Sequence, residues 1–298
     1  MRVLVTGGSG FLGGHLVRRL VERGDEVRVV DLVAYAPGDV DCLVGDLRER
    51  DVVERALEAG FDAVVHLAAL TSVLQSVRDP EAIFNTNVLA THYLLERARE
   101  VGCRRFVLAS SSAVIGDVGR QTIREDLPMH PLTPYGATKA AGEMLLSAYG
   151  ASYGFAAVAL RFTNLYGTRM QLKDSVIARL MKAAVAQTGI EIYGDGEQMR
   201  DYLYISDACA AIELALRLEE PTTLAIGSQE SISMNDLFAL VCEVTGVELT
   251  GEHIAPKPGE MPAVFVDTSK ARATGWQPAY SLRQGLEETW ADFDKTAR

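Results

Sequence analysis

Cysteine is scarce in this sequence, and the few cysteines lie far apart. The 298 residues include four of them, at positions 42, 103, 209 and 242. Their spacing matches neither a paired metal-ligand motif nor the dense cysteine pattern of small secreted domains. We therefore expect free thiols in a reducing compartment, and we expect no metal site.

Positive charge and long apolar segments are also lacking. Lys and Arg number 29 against 40 Asp and Glu, which gives a formal net charge of -11. A chain with this balance repels nucleic acid and anionic membrane surfaces, so local donors must hold any anionic ligand. No stretch approaches the roughly 20 apolar residues that span a bilayer, and the first residues resemble a strand and not a signal peptide. We expect a cytoplasmic protein that binds neither nucleic acid nor membranes.

Apolar residues are plentiful, and their arrangement indicates the fold class. Hydrophobic residues make up 48% of the chain, which is enough for a large core. In the first half, short β-branched runs alternate with longer stretches of helical periodicity, which predicts repeated βαβ units and a parallel sheet. The predicted strands are residues 2–6, 26–31, 63–67, 105–110 and 157–162.

The alternation ends near residue 167, which predicts a second and smaller domain. Beyond this point come a polar loop, one helix and a segment at 189–200 that is rich in glycine and charge. Thr222–Ile226 has the composition of a strand that returns to the main sheet. We therefore expect an α/β protein with a doubly wound parallel sheet over residues 1–167, and a smaller α/β substrate domain over residues 168–298.

A glycine-rich turn directly follows the first predicted strand. The segment from Thr6 to Gly13 places further glycines at Gly7 and Gly10, at the start of the first predicted helix. Without Cβ atoms the backbone can approach a pyrophosphate, whose charge is stabilised by the free N–H groups of the helix N-terminus. Asp31, at the end of the second predicted strand, is suited to an adenosine ribose and would repel a 2′-phosphate. The pattern predicts a Rossmann-type domain that binds NAD in preference to NADP.

A tyrosine and a lysine lie one helical turn apart. Tyr135 and Lys139 follow Pro134 at the start of a predicted helix, so their side chains project from the same face. A phenol needs its pKa lowered by about 3 units to act as a base near neutral pH, and a nearby ammonium group together with the positive nicotinamide ring of bound NAD could supply this. Residues 110–112 are serines at the end of a predicted strand, where parallel sheets bind ligands. We expect one serine hydroxyl to reach the same substrate oxygen.

These motifs resemble those of the extended short-chain dehydrogenases/reductases, and most closely the UDP-galactose 4-epimerase-like nucleotide-sugar enzymes. The resemblance extends over nearly the whole chain. It is carried by residues 6–13, 31, 46–47, 66–69, 85–88, 110–116, 135–139, 161–167, 193–196, 200–202, 267–271 and 275–276.

The resemblance implies a role for each matching residue. Tyr135 would be the general base, Lys139 its electrostatic partner, and Ser111 the hydroxyl that bonds the reacting sugar oxygen. The implied NAD site consists of Gly7, Gly10, Phe11, Leu12, Gly13, Asp31, Asp46, Leu47, Leu67, Ala68, Ala69, Asn87, Ser110, Tyr135 and Lys139. The implied substrate site consists of Ser111, Ser112, Tyr135, Asn164, Arg200, Lys257 and Glu260, in which Asn164 and Arg200 would hold the diphosphate.

The residues after Ser111 bear on the type of reaction. Family members that dehydrate or decarboxylate the sugar usually carry acidic residues there, whereas this chain has Ser112 and Ala113. The resemblance therefore implies oxidation at C4, rotation of a transient 4-keto sugar, and return of the hydride to its other face. The expected substrates are UDP-glucose and UDP-galactose, and also their N-acetylhexosamine forms, since Val264 is small where bulky residues exclude them.

Other interpretations remain open. Arg169 and Lys173 lie in a loop near the predicted sugar pocket and would suit a carboxylate, which makes a UDP-glucuronate 4-epimerase an alternative. A nucleotide-sugar dehydratase or reductase is a further one, and an NAD-binding regulator without catalysis belongs to a different class. Family members commonly dimerise through two helices, here at 87–101 and 137–149, so the resemblance implies a homodimer.

Overall fold

The computed structural model describes residues 1–36, 38–256 and 261–297. The strands are β1 (Arg2–Thr6), β2 (Glu26–Asp31), β3 (Asp41–Val44), β4 (Ala63–His66), β5 (Arg105–Ser111), β6 (Thr122–Ile123), β7 (Ala156–Phe162), β8 (Asn164–Tyr166), β9 (Ile190–Tyr193), β10 (Met199–Tyr204), β11 (Thr222–Ile226), β12 (Ser231–Ser233), β13 (Gly251–Ile254) and β14 (Phe265–Val266). The helices are α1 (Phe11–Glu22), α2 (Arg50–Ala56), α3 (Val73–Arg78), α4 (Pro80–Phe84), α5 (Ala90–Val101), α6 (Pro134–Tyr153), α7 (Val176–Ala186), α8 (Ile205–Ala215), α9 (Met234–Thr245), α10 (Ser269–Ala273) and α11 (Leu282–Ala297). A π-helical turn, Asn85–Leu89, precedes α5, and a 3-10 turn, Ser112–Val114, follows β5.

A seven-stranded sheet forms the centre of the N-terminal part, in the order β11-β7-β5-β4-β1-β2-β3. The pairs from β7 through β5, β4, β1 and β2 to β3 are all parallel. The strand order reverses at β1, which has β2 on one side and β4 on the other. In open parallel sheets, ligands bind at the carboxyl ends of the strands beside such a reversal. The predicted α/β fold with a doubly wound parallel sheet is confirmed.

Helices cover the sheet with apolar side chains at helical spacing. In α1, Leu16, Val17 and Leu20 are fully buried, and the helix is followed by Gly24 in the left-handed conformation. In α5, Leu94 and Ala98 belong to the hydrophobic core. These two α5 side chains therefore contact the protein's own interior and are not available to a partner subunit.

Contacts divide the described chain into two compact units. The first comprises residues 1–116, 125–162 and 209–225, and the second comprises residues 117–124, 163–208 and 226–298. The second unit contains a three-stranded sheet, β12-β10-β8, and two strand pairs, β13-β9 and β14-β6. The first unit takes up β11 from the later part of the chain, so neither unit is continuous in sequence.

Three further properties concern membrane insertion, metal binding and disulfides. Within the residues that the structure describes, no helix has the length and hydrophobicity of a transmembrane segment. No set of three His, Cys, Asp or Glu side chains in these same residues is arranged to hold a metal ion. All four cysteines are free thiols.

Candidate active site

The glycine-rich turn connects β1 to α1 in the first unit. Gly7 is in the left-handed conformation, and a Cβ atom there would lie 2.7 Å from the backbone nitrogen of Ala68. A Cβ atom on Gly13 would overlap the carbonyl oxygen of Gly7. Gly10 precedes α1, whose first turn has no side-chain cap and no acidic residue. The turn therefore presents unblocked helix N–H groups to an anion.

Asp31 lies beside this turn and lines a cavity of about 290 Å³. Its Oδ2 accepts a hydrogen bond from the backbone N–H of Ser9 at 3.0 Å. The cavity is lined by eight of the residues predicted to bind NAD, namely Gly7, Gly10, Asp31, Asp46, Leu47, Leu67, Ala68 and Ala69. Arg48 also lines it and was not predicted. Hydrogen bonds from Arg48 lower the pKa of the Asp46 carboxyl, so Asp46 is held as a carboxylate at the cavity wall.

Asn87 is buried and connects the cavity wall to α6. Its side-chain oxygen accepts a hydrogen bond from the Leu70 N–H at 2.8 Å, and its Nδ2 donates to the Leu70 carbonyl at 3.0 Å. The same Nδ2 donates to the Thr138 hydroxyl at 3.1 Å. Both N–H groups of the amide are thus engaged within the protein. The structure places Asn87 as a link between the loop after β4 and the helix that carries Tyr135 and Lys139.

The end of β5 meets the start of α6 at the same carboxyl edge of the sheet. Thr133 caps α6 by accepting a hydrogen bond from the Gly136 N–H at 3.2 Å. A Cβ atom on Gly136 would lie 2.6 Å from the Ala113 carbonyl oxygen, so glycine permits this close approach. As a result the Tyr135 hydroxyl is hydrogen-bonded to the Ser111 hydroxyl. Of the two serines that end this strand, Ser111 is hydrogen-bonded to the phenol, whereas Ser110 donates a hydrogen bond to Glu143.

Lys139 lies one turn further along α6 and is buried. Its Nζ donates a hydrogen bond to the Ala109 carbonyl at 2.7 Å and lies 6.0 Å from the centre of the Tyr135 ring. Burial lowers the pKa of Lys139 to about 8, although the carboxylate of Glu143 opposes the change. Serine, tyrosine and lysine are therefore brought together as the sequence predicted.

The pKa of Tyr135 in the protein alone is set mainly by burial. Burial raises the pKa of Tyr135, and the hydrogen bond from Ser111 only partly offsets the increase. The protein's own groups therefore keep the phenol protonated near neutral pH. A lowered pKa of Tyr135 is predicted only from Lys139 together with the positive nicotinamide ring of NAD, so the pKa with the cofactor bound stays a prediction.

A cavity in the second unit is lined by the two residues that are predicted to bind the diphosphate. It has a volume of about 80 Å³, and Asn164, Arg200 and Ser175 are among the residues that line it. Asn164 lies on β8 and donates from Nδ2 to the Asp201 carbonyl at 2.9 Å. Ser175 precedes α7 but makes no capping hydrogen bond, and its Oγ is buried without a partner. Sequence reasoning missed Ser175, which resembles an ordinary N-cap serine.

A larger cavity of the second unit adjoins the one beside Asn164 and Arg200, and Val176 lines both. Its volume is about 290 Å³, and its walls include Tyr193, Gln198 and Met234. Gln198 donates a hydrogen bond to the Tyr193 carbonyl at 3.1 Å, which fixes the orientation of its amide at the cavity wall. An aromatic ring, an amide and aliphatic side chains together suit a planar polar group such as a nucleobase.

The remaining predicted substrate residues have different outcomes. Lys257 and Glu260 lie outside the described residues. Ser112 is in the 3-10 turn directly after Ser111. In the loop at 168–173, the Arg169 N–H bonds to the carboxylate of Asp292 at 2.7 Å, and Gln171 bonds to the same oxygen at 2.6 Å. This loop therefore has a carboxylate beside its cations.

A doubly wound sheet with a glycine-rich first turn, and with Ser, Tyr and Lys at its carboxyl edge, defines a class of dinucleotide-dependent enzymes. The chain belongs to the NAD dependent epimerase/dehydratase family, whose model matches residues 3–227. The predicted family and the predicted cofactor, NAD, are confirmed.

Individual relatives are similar over nearly their whole length. The chain is 31% identical over 293 residues to a putative UDP-glucose 4-epimerase of Methanocaldococcus jannaschii, which covers 96% of both chains. It is similar to the crystal structure of the UDP-glucose 4-epimerase of Thermus thermophilus in complex with NAD, with a TM-score of 0.93, 35% identity and 99% of each chain covered. It is also similar to the structure of Thermotoga maritima UDP-glucose 4-epimerase with UDP-glucose, with a TM-score of 0.95, 32% identity and 100% of each chain covered.

Proposed function

We propose that this protein is an NAD-dependent 4-epimerase of a UDP-hexose that acts through a transient 4-keto sugar. The observation that carries the proposal is the hydrogen-bonded pair of Ser111 and Tyr135, with Lys139 one helical turn away. These groups lie in the same unit as the cavity beside Asp31. UDP-glucose and UDP-galactose are the proposed substrates, and the similar enzymes from Thermus and Thermotoga support this choice.

The first unit has the residues that NAD needs. Gly7 and Gly13 have no room for Cβ atoms, and the turn between them presents helix N–H groups to a pyrophosphate. The Asp31 carboxylate is placed for the adenosine ribose, and Asp46 for the adenine amino group. When bound, NAD supplies the hydride acceptor for oxidation at C4 and the hydride donor for the reverse step.

Two hydroxyl groups of the chain are assigned to the proton transfer. We propose that Tyr135 removes the proton from the sugar hydroxyl and later returns it, while Ser111 holds the same oxygen by a hydrogen bond. Because burial raises the pKa of Tyr135, the phenol becomes an effective base only when further positive charge is close. The pKa of Lys139 is lowered to about 8, so its side chain is a charged ammonium group at neutral pH and contributes part of this positive charge.

The residues after Ser111 favour epimerisation over dehydration. Ser112 and Ala113 form the 3-10 turn at the end of β5, and neither has a carboxyl group. Elimination of water from the sugar needs a group at this place that can donate and accept protons. Without one, the oxidised sugar is left to be reduced again.

The two adjoining cavities of the second unit are proposed to hold the nucleotide. Arg200, Asn164 and the unpartnered Ser175 hydroxyl supply donors for the diphosphate, and α7 has no acidic residue in its first turn. The larger cavity beside Tyr193 and Gln198 would take the base. A protein with a net charge of -11 needs such local donors to bind a dianion.

We also propose that the protein forms a homodimer. Phe84 on α4 and Met144 on α6 are 52% and 62% exposed, and Leu74 and Val77 on α3 are exposed as well. Large apolar side chains that cluster on neighbouring helices commonly mark an interface. Light scattering should give the mass of two chains, and Met144→Glu should shift the mass toward one. A single-chain mass for the unmodified protein would refute the proposal.

The proposed reaction can be tested without supplying a cofactor. Purified protein is incubated with UDP-glucose, UDP-N-acetylglucosamine or UDP-glucuronate, and the sugar anomeric protons are followed by NMR. Conversion of UDP-glucose to its C4 epimer supports the proposal, and conversion of UDP-glucuronate alone would favour a uronate epimerase instead. A 4-keto product, or a need for added NAD(H), would indicate a dehydratase or reductase. Bound NAD without any turnover would indicate a regulator.

A further inference from the structure

A buried ion pair lies directly behind the Ser111, Tyr135 and Lys139 side chains. Glu143 is on α6, one turn beyond Lys139, and Arg161 is on β7; they are 4% and 3% exposed. The Arg161 guanidinium donates two-pronged hydrogen bonds to the Glu143 carboxylate, from Nη2 at 2.8 Å and from Nε at 3.0 Å. This is the geometry of a strong, directional pair.

The same carboxylate fixes the end of β5. Glu143 Oε1 accepts a hydrogen bond from the hydroxyl of Ser110. Ser110 lies between Ala109, whose carbonyl receives the hydrogen bond of Lys139, and Ser111, which bonds Tyr135. One carboxylate thus connects α6 to β5 at the point where both elements contribute their reactive side chains.

Stability alone does not account for a pair of this kind. Removing two charges from water costs so much that well-packed apolar residues are often at least as stabilising as a buried ion pair. An apolar pair, however, supplies neither a hydrogen-bond acceptor for Ser110 nor a negative charge beside Lys139. Both are present here, and both act on residues of the site.

The charges that face Lys139 come from several elements. On its own helix are Glu143, which raises the pKa of Lys139, and the phenol of Tyr135. On β4, burial lowers the pKa of His66 to about 3, so this ring is neutral in the working range. On β7, Arg161 offsets the charge of Glu143. The balance around Lys139 therefore depends on the ion pair as a unit.

We propose, on the basis of the epimerase function proposed above, that Glu143 and Arg161 are positioning residues that hold Ser111 and Lys139 in place and fix the electrostatic balance of the site. Neither touches the sugar. Losing Glu143 alone leaves an uncompensated positive charge behind Lys139 and Tyr135, whereas losing Arg161 alone leaves a negative one. Losing both restores neutrality, although the anchoring hydrogen bonds are gone.

The test is the pH profile of kcat for the C4 epimerisation of UDP-glucose. Glu143→Gln keeps the shape of the side chain but leaves the positive charge of Arg161 uncompensated. This charge lowers the pKa of a nearby phenol and of a nearby ammonium group alike. Both limbs of the profile, the rise of kcat on the acidic side and its fall on the basic side, should therefore move to lower pH by about one unit. Arg161→Gln should move both limbs to higher pH by a similar amount. The Glu143→Gln/Arg161→Gln double variant should return the limbs to their original positions, with a lower kcat and an almost unchanged KM.

Thermal unfolding and the amount of bound NAD are measured on each variant, so loss of structure is seen separately from movement of the limbs. Either single variant tests the inference if it folds. If neither single variant folds, the double variant is used, because it leaves no buried charge unpaired. Three results would overturn the inference. The limbs of the pH profile could stay in place in a folded single variant, they could move in the same direction in both single variants, or they could stay displaced in the double variant. An unmodified protein that does not epimerise UDP-glucose would contradict the proposed function instead.

Discussion

Replacing Tyr135 by phenylalanine separates the chemical role of the phenol from its structural role. The change removes one oxygen atom and keeps the ring that fills the site. The hydroxyl is hydrogen-bonded to Ser111, and the Ser111 hydroxyl also accepts a hydrogen bond from the Ala113 N–H at 3.2 Å. Ser111 therefore keeps a partner after the substitution.

The two expected effects differ greatly in size. Losing one neutral hydrogen bond costs about 1 kcal/mol of stability, which is small against the roughly 5–15 kcal/mol of a typical domain. Losing a general base lowers kcat by roughly 10²- to 10⁴-fold, which corresponds to about 2.7–5.4 kcal/mol in the barrier. The variant should thus fold, retain NAD and lose nearly all turnover.

Tyr153→Phe is the matched control. Tyr153 ends the same helix, is 47% exposed, and its ring contacts Tyr149 edge-on. The same oxygen is removed, the ring contact is kept, and the site is untouched. Epimer formation is measured by NMR for both variants, together with the thermal midpoint and the NAD content released by denaturation.

The expected result is a kcat within about twofold of the parent for Tyr153→Phe, and a large loss for Tyr135→Phe with unchanged NAD content. Equal activity of the two variants would refute the role given to Tyr135. Loss of NAD together with activity would show that the phenol holds the cofactor and would leave its role as a base unsupported.

Three further predictions concern binding and pH. Gly13→Ala should abolish copurification of NAD, because the new methyl group overlaps the Gly7 carbonyl oxygen; normal NAD content after denaturation would contradict the described turn. Arg200→Gln should raise KM for UDP-glucose by about 10- to 100-fold with kcat nearly unchanged, and Ser175→Ala should raise it by about 3- to 10-fold, as initial rates will show. Since the pKa of Lys139 is lowered to about 8, its ammonium group loses its proton as pH rises through that value, so kcat should fall above pH 8; a flat profile to about pH 9.5 would contradict this.

The core of the fold was predictable because parallel strands are buried on both faces. β1, β2 and β11 have the bounds that their short runs rich in β-branched residues predicted. β3 was not predicted, because this short edge strand is partly exposed and alternates too weakly to be recognised. Among the described residues it pairs with β2 alone, so its position depends on the rest of the sheet.

The candidate site was predictable to the extent that local spacing determines it. Tyr135 and Lys139 share one helix, and Ser111 ends a strand, so helix geometry and sheet topology bring the three together. Glu143 and Arg161 gave no such signal. They are separated by 18 positions, and a glutamate on a 20-residue helix would ordinarily be assigned to the solvent face.

Electrostatic properties were the least predictable part of the site. The sequence predicts that Lys139 and the nicotinamide ring of bound NAD together lower the pKa of Tyr135, but it does not show how deeply Tyr135 and Lys139 are buried, and burial opposes this change. Likewise, the Ser175 hydroxyl is buried and unpartnered, and nothing in the sequence distinguishes it from a capping serine. Burial and orientation are tertiary properties that no local pattern encodes.

In the proposed reaction, the same hydrogen leaves C4 of the sugar and returns to it. UDP-glucose carrying deuterium at C4 tests this directly, with the purified protein in ordinary water and without added cofactor. We expect a C4 epimer that keeps its deuterium at C4, together with a slower rate than for the unlabelled sugar. An epimer that has exchanged its deuterium for solvent hydrogen, or a released 4-keto product, would contradict it.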